Sequence, residues 1–127
     1  LFYKYLATTL ATVALGTTIV SAQTPPSADD AVAMAKNQLG ILEYCKGKGY
    51  VDAATVDIQT RLMGMLPPAT DASKVEAAYQ KGKNGTVSSM GQEVNLADVA
   101  KAQSTAEEAM CKQIGAAVNQ AAAMLPK

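Results

Sequence analysis

Two cysteines, Cys45 and Cys111, constrain this chain more than any other feature. They stand 66 positions apart and are the only cysteines in 127 residues that include no histidine. A bond between them closes a loop so long that chain entropy stabilises the fold by roughly 4 kcal/mol. A redox pair would show C-x-x-C spacing and a c-type haem would need C-x-x-C-H, and neither is present. Zinc would require two further ligands of the His or Cys kind, which the chain lacks. The reading that remains is a structural disulfide made in an oxidising compartment.

An export leader fits that compartment. Lys4 supplies a thin positive start, Leu6 to Val20 is uncharged and mostly apolar, and Val20-Ser21-Ala22 offers small residues for cleavage. Residues 1–22 are expected to be a signal peptide, and 23–127 a single domain beginning at Gln23. The run is shorter than the roughly 20 residues of a spanning helix. A retained anchor would have to recruit Phe2, Tyr3 and Tyr5. The expected location is the periplasm, with membrane contact only through partners or an uncleaved leader.

Eleven basic residues balance eleven acidic ones. The chain therefore lacks the positive field on which nucleic-acid binding depends. Past the leader there is no Phe or Trp, and the aromatics are Tyr44, Tyr50 and Tyr79. Ala and Met supply much of the remaining apolar surface. Small side chains bury little area, at roughly 25 cal/mol per Å². A core this thin needs a staple or a partner, and Cys45 with Cys111 is the staple.

Helical punctuation is clear. Ser27 with Asp29 and Asp30 opens a first helix over about 28–46. Its apolar stripe is Ala28, Ala31, Ala35, Leu39, Leu42 and Cys45. Gly40 within it marks a close helix crossing, and Gly47 and Gly49 end it. Asp52 caps a second helix over 53–66, with Thr55, Ile58, Leu62 and Met65 inward and Pro67-Pro68 as the stop. Ser73 to Glu76 has the capping-box form and opens a short third helix with Val75, Ala78 and Tyr79. Residues 86–95 form either a small hairpin turning at Met90-Gly91 or a plain loop. A helical turn or two follow from Leu96 to Gln103. Ser104 to Glu107 is a second capping-box pattern, opening a last helix over 105–124 with Cys111, Ile114, Val118, Ala121 and Leu125 on one stripe. The expected fold is all-α, a bundle of about four or five helices with the disulfide joining the first and last long ones.

No constellation points to catalysis. General acid–base work favours His or a carboxylate pair. Asp29-Asp30 and Glu107-Glu108 stand in first helical turns, where the helix dipole accounts for them. Asp52 and Asp57 read as a cap and an exposed face. Lys46-Gly47-Lys48-Gly49 lacks P-loop spacing and follows a helix C-terminus, which repels anions. Asn84-Gly85-Thr86 matches the N-glycosylation pattern, which is short and frequent by chance. Met34, Met63, Met65, Met90, Met110 and Met124 carry thioethers suited to copper(I). Without an M-x-x-M cluster beside His or Cys, they read as gap fillers or as a partner-lining surface. Arg61, the only arginine, is a solvated charge, or in an interface a carboxylate anchor. With Tyr44, Tyr50 and Tyr79 it makes up the candidate interface. No catalytic, cofactor-binding or metal-binding residue is assigned.

The segment from Leu39 to Leu66 (LGILEYCKGKGYVDAATVDIQTRLMGML) resembles the YjjA-like family of small exported bacterial proteins of unknown function. The marks are Gly40-Ile41-Leu42-x-Tyr44-Cys45, then Gly91-Gln92-x-Val94-Asn95-Leu96-Ala97-Asp98, and the late Cys111. That family brings no catalytic residues to carry over. The Ala- and Gln-rich character with one cysteine pair is also similar to the small third subunit of membrane-bound quinohaemoprotein alcohol dehydrogenases of acetic acid bacteria. This likeness implies a cofactor-free accessory subunit. Pyrroloquinoline quinone and haem c would belong to the large periplasmic oxidoreductase subunit, its partner. The expected function is docking on that subunit and stabilising it. The alternative is a free periplasmic helical binding or stress protein, chaperone-like in action.

Overall fold

Ser27 and Asp30 close a capping box: the Ser27 hydroxyl accepts from the Asp30 amide at 3.1 Å, and the Asp30 carboxylate accepts from the Ser27 amide at 3.2 Å. From that start α1 (Ala28–Gly47) runs for 20 residues. It ends where Gly49, at φ 80°, turns into the left-handed region. There the Gly49 and Tyr50 amides donate to the Lys46 and Cys45 carbonyls, a Schellman motif. The computed structural model describes residues 24–127. The expected leader, 1–22, lies outside the described residues.

After α1 come α2 (Ala53–Met63), α3 (Ala72–Lys83), strands β1 (Thr86–Ser89) and β2 (Gln92–Asn95), α4 (Leu96–Ala102) and α5 (Glu107–Ala121), with a final 3-10 turn at Ala122–Met124. Among the described residues the fold is all-α apart from one small hairpin. Asp52 caps α2 as expected, accepting from the Thr55 amide at 2.9 Å. The helix stops at Met63, three residues short of the expected end, where the Gly64 amide satisfies the last carbonyls.

Two capping-box readings are corrected. Asp71, not Ser73, caps α3, accepting from the Lys74 amide at 3.0 Å. Ser104 belongs to the end of α4 rather than to the start of α5. It lies at φ 53°. Its amide and that of Thr105 donate to the Lys101 and Ala100 carbonyls, closing a Schellman motif on a non-glycine residue. Helix α5 then begins at Glu107 without a side-chain cap.

Residues 86–95 form the hairpin, in the register Thr86↔Asn95, Val87↔Val94, Ser88↔Glu93 and Ser89↔Gln92. Met90 at φ 50° and Gly91 at φ 82° make the two-residue turn with both angles positive that matches strand twist.

Helix α1 is the centre of the molecule, packed by α3 and β1, by α2 and by α5. Its burial is wider than one stripe: Val32, Ala33, Asn37, Gly40 and Ile41 are buried beside Leu39, Leu42 and Cys45, while Ala28 is exposed and Ala31 and Ala35 are half-buried. The closest contact is with α3. A Cβ on Gly40 would lie 2.4 Å from the Tyr79 carbonyl oxygen, and one on Gly82 would lie 2.2 Å from that of Asn37. The glycine crossing expected at Gly40 is thus real, and Gly82 is its other half.

Candidate functional site

Cys45 and Cys111 are bonded, with Cα atoms 5.6 Å apart and both side chains wholly buried. They form the middle of the core with Ile41 and Leu96, and Tyr44, Tyr50, Val51, Val87, Met110 and Ile114 pack around them. The bond fits an oxidising compartment. No described helix is long and apolar enough to cross a membrane.

The candidate interface residues fall in three places. Tyr44 and Tyr50 are half-buried against the disulfide core. The Tyr44 ring lies under the Lys48 ammonium at 4.9 Å, and Lys48 faces the enclosed Glu107 Oε1 at 3.4 Å. The Glu107 carboxylate, and then burial, hold the Tyr44 hydroxyl above its usual value. Tyr79 lies on the α1–α3 seam. Its hydroxyl donates to Glu43 at 2.5 Å, which, with burial, pushes its pKa up to about 12. The Lys36 and Lys83 ammoniums sit 4.7 and 5.3 Å from its ring. Arg61 stands alone in the last turn of α2, exposed.

Asn37 carries no sequence motif, yet it joins three elements. Its amide donates to the Ala78 carbonyl at 2.8 Å and to that of Thr86 at 2.9 Å, and its oxygen accepts from the Ser88 amide at 3.0 Å. Asp29 and Asp30 also do more than balance a dipole. Asp29 accepts from the Thr70 amide and hydroxyl at 2.8 and 2.6 Å, and Asp30 pairs with Lys74. The acids of the helix starts are therefore tied into structural bonds.

Among the described residues, one uncharged opening follows the seam between α1 and α5. The two helices run antiparallel, joined at one end by the disulfide. One cavity of about 310 Å³ is lined by Gln38, Ile41, Val87, Ile114 and Ala117. A second of about 390 Å³ is lined by Ala35 and Gln59, by Leu62, Met63, Met65 and Leu66 from α2 and its exit, and by Ala121 and Met124. Ala35, Gln38 and Ile41 step along α1 by threes, and Ile114, Ala117 and Ala121 step along α5 by threes and fours. The cavities therefore lie in series. Alanine on both walls leaves the seam underfilled, and no charged residue lines either cavity.

Fold and groove together define a small helical protein clamped by one disulfide around an uncharged apolar groove. Comparison with protein-family models, curated proteins and solved structures finds no match.

Proposed function

We propose that this chain is a non-catalytic periplasmic accessory subunit that docks on a larger membrane-associated oxidoreductase, of the quinohaemoprotein alcohol dehydrogenase type, and stabilises it. The observation that carries this reading is the α1–α2–α5 groove, an apolar trough without charge on a domain whose own core is thin. The occupant it suits is an apolar helical segment of the large subunit, laid along the groove in the helix-in-groove mode. Pyrroloquinoline quinone and haem c would sit in the partner subunits. The effect would be mass action: a chain that binds only the folded partner shifts that partner towards its folded state.

Gentle extraction of the native membrane and capture on this chain tests the reading. The expected result is co-purification of a large oxidoreductase subunit, lost in an Ala35→Glu/Ala121→Glu variant that retains its helical signal. Recovery of the chain only as a free monomer would overturn it. The exposed Met34, Met65, Met90 and Met124 favour a second reading, a free chaperone-like protein, since methionine surfaces adapt to many partners. Suppression of aggregation of unrelated unfolded proteins, without a stable partner, is the result that would select it.

A further inference from the structure

The methionines read from sequence as gap fillers or surface are not scattered in the fold. Three of the six gather at one end of the groove. Met63 is the last residue of α2, Met65 follows the Gly64 cap, and Met124 closes the 3-10 turn after α5. All three line the same cavity of about 390 Å³. Gap filling does not account for Met65 and Met124, which are 52% and 68% exposed, while Met63 is half-buried. Leucine would supply the same apolarity with a better-defined shape, so what sets this end of the groove apart is its sulfur.

We propose that Met63, Met65 and Met124 form a thioether site for a soft monovalent cation, copper(I). Thioethers are neutral soft donors that favour copper(I) over zinc, magnesium or calcium. The same cavity wall holds no carboxylate, and its one amide side chain, Gln59, donates from Nε2 to the Ala35 carbonyl at 3.0 Å. A second feature points the same way. The C-terminal ends of α2 and α5 both abut this cavity, and helix C-termini carry partial negative charge that favours a cation. Arg61 stands in the last turn of α2 and opposes this, but it does not line the cavity. All three residues stand at or just past helix ends around one cavity, and their unbranched side chains have three rotatable bonds each, the freedom that convergence on one ion requires. The ion enters and leaves as copper(I). Sulfur lone pairs replace its water ligands, and nothing is oxidised or reduced. The site does not depend on the docking role.

Protein labelled with carbon-13 at the methionine methyls, titrated with silver(I) as the redox-inert probe, tests the site. The expected result is one equivalent bound, with the methyl signals of Met63, Met65 and Met124 moving and those of Met34, Met90 and Met110 fixed. Competition against a chromogenic copper(I) chelator under ascorbate should show each of Met63→Leu, Met65→Leu and Met124→Leu weakening binding by about tenfold or more. The triple variant should bind none, while Met34→Leu/Met90→Leu binds as the parent does. Leucine keeps the groove apolar, so the triple variant is expected to keep its circular-dichroism spectrum. Loss of partner capture with metal uptake intact overturns only the docking reading. Parent-like silver(I) binding by the triple variant overturns the site, as does movement of a different methyl set or zinc(II) uptake of equal strength.

Discussion

The Tyr79 hydroxyl is held by Glu43 across the α1–α3 seam, and the physics of that bond sets a pH dependence. Ionising the phenol would remove the proton that Glu43 accepts and leave a half-buried charge, so its folded pKa rises to about 12 from 10.0. A folded pKa above the unfolded one stabilises the fold fully below pH 10, and that contribution is lost as pH climbs towards 12. Absorbance titration of phenolate is expected to show a component with a midpoint about 12 that moves down in Glu43→Gln. A Glu43→Gln titration identical to the parent would refute the bond. Ser104 supplies a second test at this scale. A non-glycine residue in the left-handed region, here at φ 53°, carries a cost of about 1 kcal/mol. Glycine removes that cost but adds entropy to the unfolded chain. Ser104→Gly is expected to stabilise by about 0.5 kcal/mol, seen as a higher urea midpoint with unchanged slope.

Helix pairing is decided by glycine at the α1–α3 crossing. A methyl group on Gly82 would meet backbone at 2.2 Å, and backbone in two packed helices yields little. Overpacking of this kind costs about 1–3 kcal/mol or more, only partly offset by the roughly 1 kcal/mol gain in helix propensity. Gly82→Ala is expected to lower stability by about 2 kcal/mol, measured by thermal or urea unfolding; a neutral result would mean a looser crossing. Much at this level was legible in the chain. Ser27, Asp52 and Gly49 act as the punctuation they resemble, because capping chemistry is local. Ser73 and Ser104 mislead because each pattern has a competitor within three residues: Asp71 caps α3 first, and the end of α4 claims Ser104. The sequence leaves residues 86–95 open between a hairpin and a plain loop because Met90 is an unusual residue for a positive φ. Asn37 was illegible, since its three partners come from Ala78, Thr86 and Ser88 and only the folded chain brings them together. The groove was hidden for the same reason. Stripes say which residues face inward and not whether the facing helix fills the space.

At the scale of the whole molecule the helices are held in two different ways. Helices α1 and α3 pack at backbone distance and share the Asn37 bonds with β1. Helix α5 lies on α1 along an alanine seam with open cavities, and its covalent tie is Cys45–Cys111. Releasing a loop of 66 residues removes roughly 4 kcal/mol of chain-entropy stabilisation, a large share of the 5–15 kcal/mol typical of a domain. The loss is not expected to fall evenly. Amide exchange on the Cys45→Ala/Cys111→Ala protein should show α5 and the 3-10 turn losing protection first, while amides around Gly40 and Gly82 stay protected until global unfolding. Uniform loss along the chain would show instead that the helices form one cooperative unit. Because one wall of the groove is α5, anything that depends on the groove depends on this bond. Partner capture and silver(I) uptake are both expected to fail in the cysteine-free protein at temperatures where its α1–α3 pair is still folded. Capture that survives the loss of α5 protection would place the docking surface on the α1–α3 side.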